Sequence, residues 1–127
     1  WCVTYQDIAN FGRIVEEWVK DGRICPSGRD QFDVNDRIVG PSIHTVCAQM
    51  IKPVTDAAGH VSWALMLHRE GLECDVFFTH CWAEGVFEFV SKTLASWPRR
   101  AKAAYVCFLS NPQNLDIGKL VNVPLQS

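Results

Sequence analysis

This sequence contains no long hydrophobic run. Its longest apolar stretches, such as Val76-Phe77-Phe78, are far shorter than the roughly 20 residues that a membrane-spanning helix requires. It also has no marked excess of charge, since 12 lysines and arginines against 14 aspartates and glutamates leave a net charge of −2. Proteins that bind nucleic acid or anionic membranes usually carry a strong positive excess. The composition therefore predicts no transmembrane segment and no nucleic-acid partner.

Several signatures of catalytic and metal sites are also missing. The chain has no glycine-rich phosphate loop, no Gly-x-Ser-x-Gly element and no internal repeat. His44 and Cys47 have the spacing of two metal ligands on a helix, but no second spaced pair completes a tetrahedral site. Cys81 and His80 are neighbours in an extended segment, where adjacent side chains point to opposite faces. We therefore predict no metal site and assign no catalytic residue.

What the sequence does contain is a large apolar fraction. The 127 residues are 48% hydrophobic, which is typical of one domain with a packed core. There is no initiator methionine and no signal-peptide pattern, so we expect a processed or excerpted piece of a longer protein. Six cysteines are present, but a core of this size does not need disulfides. We therefore expect reduced cysteines and an intracellular, reducing compartment, cytoplasmic or organellar.

Residues 1–59 are expected to form a helical N-terminal region with one long loop. Thr4 followed by Asp7 resembles a capping box, and apolar residues then recur at helical spacing, which predicts a helix over 5–20. The polar, turn-rich residues 22–40 predict a loop of the length that is usually functional or covers a partner.

A second helix is expected after that loop. Pro41 suits its first turn, apolar residues follow at helical spacing, and Pro53 is expected to end it. Residues 55–59 then predict a turn, and the apolar residues 61–67 predict a short helix or turn packed on the sheet.

The clearest prediction is a strand–helix–strand unit over 74–110. An apolar, β-rich run over 75–80 predicts a strand buried on both faces, and 104–109 predicts a second one. A helical stripe over 86–97 lies between them, so the two strands are expected to be parallel. The fold class is therefore α/β, with this βαβ unit inside a second region, 60–127.

Two parallel strands are too few for a stable sheet, and a parallel sheet needs both faces covered. Either N-terminal segments add strands, or the sheet continues in sequence beyond Ser127. We favour the second interpretation, in which the chain is cut inside a doubly wound fold.

Polar and aromatic residues follow each predicted strand, and ligands of open parallel sheets bind beyond the carboxyl ends of the strands. His80 and Glu84 have the chemistry for acid–base work or for holding a ribose, and Trp82 can stack on a base. The N–H groups that open the next helix, near Glu84 and Gly85, can receive a phosphate. The candidate ligand residues are His80, Trp82, Glu84, Asn111, Gln113 and Asn114. The alternative is structural, because all of these residue types also cap helices and form turns.

A family resemblance lies in the same segments. Residues 75–84, followed by 87–90, resemble the opening strand and helix of Toll/interleukin-1-receptor-like (TIR-like) domains. More narrowly, they resemble a group of protist proteins, dinoflagellate ones among them, with an Ile-Lys-Pro-x-Thr element, a Ser-His-x-Trp-x-Glu element and an Asn-Gln strand end. Those elements stand here at 51–55, 80–84 and 110–113. Together they span about half of the chain.

The resemblance implies a partial flavodoxin-like sheet, homotypic association and, in some members, cleavage of NAD. The catalytic glutamate of the active enzymes lies on a later helix that has no counterpart here, and Glu84 does not match it. The resemblance therefore favours a TIR-like interaction or signalling module, non-catalytic in this form, with contacts through Trp82, Phe87 and Phe89. One alternative is an accessory structural subunit of a larger complex, organellar complexes included. Another is the first half of a hydrolase that processes NAD or a related nucleotide.

Overall fold

The computed structural model describes residues 1–111, so Gln113 and Asn114 lie outside the described residues. In chain order the elements are α1 (Tyr5–Lys20), α2 (Ile43–Val46), a π-helical turn (Cys47–Ile51), α3 (Lys52–Ala57), α4 (Trp63–Leu67), β1 (Val76–Phe78), α5 (Val86–Ala95), β2 (Ala104–Val106) and α6 (Cys107–Ser110). The N-terminal region is helical and the strands form a parallel sheet, so the predicted mixed α/β class is confirmed at this level. Within 1–111, no helix combines the length and the apolar character needed to cross a membrane.

The first helix begins at its predicted capping box. The Thr4 hydroxyl accepts from the Asp7 N–H at 3.1 Å, and the Asp7 carboxylate accepts from the Thr4 N–H at 2.9 Å. This reciprocal pair satisfies two donors that the first helical turn leaves without partners. The apolar stripe of α1 packs against α5 and is buried at Ile8, Phe11, Val15 and Val19.

The prediction that the second helix ends at Pro53 is wrong, because the helix continues to Ala57. A π-helical turn lies directly before the proline, and in it the Lys52 N–H donates to the Cys47 carbonyl five residues back. This wider turn accommodates a ring that lacks an N–H and that would otherwise clash with the preceding turn. Because the helix continues, only Ala58 and Gly59 of the predicted turn over 55–59 form a turn.

The predicted parallel pairing of the two strands is confirmed. Val76 pairs with Ala104 and Phe78 with Val106, and α5 connects the two strands. The carboxyl ends of β1 and β2 therefore lie at the same edge of the sheet.

The second strand is shorter than the predicted 104–109. It ends at Val106, whose N–H donates to the Ser110 hydroxyl at 3.0 Å across the single turn of α6. This bond closes the chain into a helical turn in place of three more extended residues.

The prediction that β1 is buried on both faces is also wrong. Phe77 is 62% exposed and stacks on the Tyr105 ring at a centroid distance of 5.0 Å. Val76 and Phe78 point the other way and pack against the core. Alternate residues of a strand face opposite sides, so the described residues cover only one face of this sheet.

The N-terminus is attached to the sheet in two ways. Val3 forms a single antiparallel bridge with Ala104, with backbone N–H···O distances of 2.9 and 2.7 Å, so the N-terminal segment contacts the two-stranded sheet without adding a strand to it within residues 1–111. Cys2 forms a disulfide with Cys74, with a Cα–Cα distance of 5.7 Å. The expectation that every cysteine is reduced is therefore wrong for this pair, while the compartment stays a prediction. The free cysteines of the described chain are Cys25, Cys47, Cys81 and Cys107.

A single hydrophobic core joins the two predicted regions. It includes Ile8 and Met50 from 1–59 together with Phe89 and Phe108 from the βαβ unit. The predicted boundary at residue 59 therefore does not divide the core.

Candidate functional site

The start of α5 is bonded to the segment that precedes α2. The Val86 N–H donates to the Pro41 carbonyl at 2.8 Å, and the Phe87 N–H donates to the Val39 carbonyl at 3.0 Å. The prediction of free N–H groups near Glu84 that receive a phosphate is therefore wrong at these positions, because backbone carbonyls already occupy them. Two of the N–H groups that open α5 are therefore engaged in backbone hydrogen bonds and are not free to bind an anion.

Backbone hydrogen bonds between the same two segments also hold Trp82 at the surface. In the reverse direction, the Ile43 N–H donates to the Glu84 carbonyl at 2.9 Å and the His44 N–H donates to the Trp82 carbonyl at 3.1 Å. The turn 81–84 thus satisfies the first donors of α2. The indole of Trp82 remains 42% exposed, with the His44 ring edge-on to it at a centroid distance of 6.5 Å.

A groove runs beside this tryptophan. It consists of two adjoining cavities of about 590 and 260 Å³, which share His44, Ala48 and Trp82 in their walls. We call it the Trp82 groove. Its lining residues are Ser27, Gly28, Arg29, Asp30, Ser42, His44, Thr45, Cys47, Ala48, Gln49, Lys52, Trp82 and Ala83.

Hydrogen bonds hold the loop wall of the groove against the helix. The Asp30 carboxylate accepts from the Ser42 N–H at 2.8 Å and from the Thr45 hydroxyl at 2.5 Å. The Gln49 amide donates to the Cys25 carbonyl at 3.0 Å and accepts from the Cys25 N–H at 2.9 Å. Part of the long loop is therefore a fixed wall and not a freely moving segment.

The charged groups of the groove are mainly basic. Arg29 lines the larger cavity and Lys52 the smaller one, and neither forms an ion pair within residues 1–111. The one carboxylate, Asp30, is engaged by the loop-to-helix hydrogen bonds. Burial raises the pKa of the Cys47 thiol to about 12, so this thiol stays protonated and is a poor nucleophile.

His80 lies behind Trp82 and does not line the groove. Its ring meets Trp82 at 4.8 Å, Phe108 at 4.9 Å and Phe89 at 6.2 Å between centroids, edge-on in each case. Its Nε2 atom is buried and has no hydrogen-bond partner among the described residues. Burial lowers the pKa of His80, while the nearby Glu84 opposes that shift. The imidazole is therefore a neutral support for the Trp82 ring.

Glu84 and Asn111 do not line the groove either. The Glu84 side chain is 9% exposed, and its carboxylate accepts from the Lys92 ammonium at 2.6 Å. The Asn111 amide accepts from the Tyr105 hydroxyl and donates to the Cys107 sulfur at 3.3 Å. Both side chains are thus bonded within the βαβ unit.

Of the three predicted contact residues, only Trp82 presents its side chain to solvent. Phe87 is 7% exposed and Phe89 is 1% exposed. The Phe87 ring packs under Gly40, where an added Cβ would lie 2.4 Å from the ring. Both rings belong to the core stripe of α5 and are not available for a partner.

Sequence reasoning did not identify the loop and helix residues of the groove. Arg29 and Asp30 lie in the long loop 22–40, whose length was the one available signal that it is functional. His44 and Cys47 were considered only as metal ligands, Lys52 only as part of the 51–55 element, and Gln49 was not singled out. These residues are distant in sequence from Trp82, and tertiary packing alone brings them together.

Comparisons with protein-family models, with curated proteins and with solved structures find no match to this chain. The TIR-like resemblance therefore stays a prediction.

Proposed function

We propose that this chain is a protein-interaction module with a TIR-like sheet, non-catalytic in this form, that self-associates through the Trp82 groove. The observation that carries the proposal is the exposure of the Trp82 indole, at 42%, on a backbone fixed by hydrogen bonds to α2. Tryptophan is enriched at the centres of protein interfaces, because it buries a large area with few rotatable bonds.

Two of the predicted acid–base side chains, Glu84 and His80, are committed to contacts outside the groove, which supports a non-catalytic role. Glu84 is bonded to Lys92, and His80 packs among aromatic rings. The Cys47 thiol stays protonated. A general base needs a free lone pair within hydrogen-bond reach of a substrate. Glu84 and His80 do not line the groove, and Cys47, which does, holds its proton.

The parallel βαβ unit supports the TIR-like part of the proposal. β1 and β2 lie side by side in the same direction, and α5, which connects them, packs against α1. A doubly wound sheet is built from such units. The exposed Phe77 face is where a larger sheet of this kind needs further covering elements.

Sedimentation velocity of the 127-residue chain over a range of concentrations tests self-association. We expect a weight-average sedimentation coefficient that rises with concentration, and a rise that Trp82→Ala abolishes. Phe77→Ala is the matched control, because Phe77 is an exposed aromatic residue on the sheet face, away from the groove lining. A wild-type monomer at every concentration, or a Trp82→Ala variant that associates normally, would contradict the proposal.

Nucleotide binding is a second candidate function for the same groove. Its cavity of about 590 Å³ has the size of small-molecule sites, roughly 300–1,000 Å³, and it combines an indole with the Arg29 guanidinium. NAD and ADP are the probes, and quenching of tryptophan fluorescence is the signal. Quenching that is saturable in the wild type and absent in Trp82→Phe would support this function, and no quenching by either compound would contradict it.

A further inference from the structure

We infer that the Trp82 groove receives residues 33–39 of a second copy of this chain, so that association is head-to-tail. We call residues 33–39 the apolar loop. The inference rests on the proposed self-association and names the partner segment that enters the groove.

The apolar loop carries an unusual cluster of exposed aliphatic side chains. Ile38 is 78% exposed, the largest value for a large hydrophobic residue in the described chain, and Val34 and Val39 are 42% and 41% exposed. Single exposed aliphatic residues are ordinary, but three within six positions form a patch. Such a patch gains free energy when a partner covers it.

Hydrogen bonds from one side chain brace the loop. The Asp36 carboxylate accepts from the N–H groups of Ile38 at 2.8 Å, Val39 at 3.2 Å and Gly40 at 3.2 Å. These bonds lower the pKa of Asp36, so the carboxylate is ionised at neutral pH. A loop that is already ordered loses little conformational entropy on binding.

The charge of the loop is negative around its apolar residues. Asp33 and Asp36 carry carboxylates, and the Asp33 carboxylate accepts from the Asn35 N–H at 2.9 Å. The one cation of the loop is Arg37, so the two carboxylates leave the loop with a net negative charge. Arg37 lies 3.9 Å from the Glu16 carboxylate, which Lys20 also contacts at 3.3 Å.

The groove offers the complementary surface. Arg29 lines the larger cavity and Lys52 the smaller one, with no ion pair to either within residues 1–111, and these two cations outnumber the one carboxylate of the lining, Asp30. The wall that both cavities share consists of Trp82, His44 and Ala48. Opposite charges at the rim speed encounter and set orientation, while the apolar centre supplies affinity. Ile38 fits the centre of the groove as the anchor side chain, with the two loop carboxylates towards its basic ends.

The loop and the groove are different surfaces of one chain, so their contact is heterologous. Each copy that uses its loop still offers a free groove, and chains of copies can grow. A copy that lacks either surface can join only one end of such a chain. The association of such single-surface copies therefore distinguishes a head-to-tail contact from a two-fold symmetric contact.

Complementation between two variants tests the inference on the 127-residue chain. Ile38→Asp removes the anchor and leaves the groove intact, while Trp82→Ala removes the groove wall and leaves the loop intact. We expect each variant alone to associate at least about thirty-fold more weakly than the wild type, the usual cost of losing an anchor residue. An equimolar mixture should form a one-to-one heterodimer that does not grow further, measured by sedimentation velocity and native mass spectrometry.

Two further variants test the role of charge, one at a residue outside both surfaces and one in the groove. Leu67→Asp places the same charge at another exposed aliphatic residue, 43% exposed, and should associate like the wild type. Arg29→Glu reverses the groove charge without removing the indole, and should weaken association as Trp82→Ala does. Circular dichroism checks that each variant is folded.

The outcomes separate this inference from the proposed function. If the wild type associates and Ile38→Asp associates equally well, the loop is not the occupant and the proposed function stands. If both variants are monomeric but their mixture forms no heterodimer, head-to-tail association is excluded. A monomeric wild type overturns self-association and this inference together.

Discussion

The backbone of Gly85 passes directly against Val39. A Cβ atom at Gly85 would lie 2.3 Å from the Val39 carbonyl oxygen, a distance that real Cβ contacts do not show. This close approach lets the chain before α2 run antiparallel to the chain before α5, with a bridge between Ser42 and Gly85. The Trp82 groove therefore depends on the absence of a side chain at one position.

Gly85→Ala is expected to destabilise the protein by about 2 kcal/mol, because two backbone segments must separate to admit the methyl group. Urea unfolding followed by circular dichroism measures the change. Gly28→Ala is the matched control, since Gly28 has a φ of +54° but no neighbouring atom within 4 Å of an added Cβ. It should cost only about 1 kcal/mol of backbone strain. Equal costs for the two variants would contradict the role assigned to the Gly85 contact.

The disulfide between Cys2 and Cys74 spans 72 residues of sequence. Closing a loop of that length restricts the unfolded chain, so Cys2→Ala combined with Cys74→Ala should lower the free energy of unfolding by about 4 kcal/mol. Chemical denaturation without reductant measures this change. Cys25→Ala, at a free and exposed cysteine, should leave stability unchanged. A double variant as stable as the wild type would show that the bond contributes nothing to the fold.

Protonation of His80 is expected to destabilise the fold as the pH falls. Because burial lowers its pKa below 6.5 in the folded state, the unfolded chain binds the proton more readily. The contribution of His80 should be constant above pH 6.5, and stability should decline from there down to the lowered folded-state pKa. Urea unfolding of the wild type and of His80→Phe across this window isolates the effect. His44→Phe, at an exposed histidine, should retain the decline, and a decline that persists in His80→Phe would rule out this assignment.

Asp30→Ala is expected to detach the loop wall of the groove. The variant loses two hydrogen bonds to the start of α2, one to the Ser42 N–H and one to the Thr45 hydroxyl, and should be about 1–2 kcal/mol less stable. Hydrogen exchange should rise at residues 25–30 before it rises elsewhere. Asp21→Ala, at an exposed residue after α1, serves as the control. Unchanged exchange in the loop would mean that Asp30 does not hold it.

The parts of the fold that were predicted correctly have local causes. The capping box of Thr4 and Asp7 and the apolar stripe of α1 are both visible within 20 residues of sequence. The parallel pairing of β1 and β2 follows from the length and helical character of the connection between them. In each case one short segment contains the whole signal.

Two of the errors involve short-range hydrogen bonds that the apolar pattern does not show, and a third involves residues far apart in sequence. Pro53 is accommodated by a π-helical turn inside a packed helix, and the Ser110 hydroxyl folds the end of β2 into a helical turn. The pairing of Cys2 with Cys74 depends on Val3 reaching the sheet, which no spacing of cysteines reveals.

The sequence by itself determined where α1, α5 and the two parallel strands begin to form and that Trp82 follows a strand, because side-chain periodicity and capping act within a few residues. Only the tertiary structure decided that Trp82 faces Arg29 and Gln49 across a groove while His80 and Glu84 turn away from it. The physical reason is that these positions are set by backbone hydrogen bonds between segments about 40 residues apart, and the close contact at Gly85 allows those bonds to form.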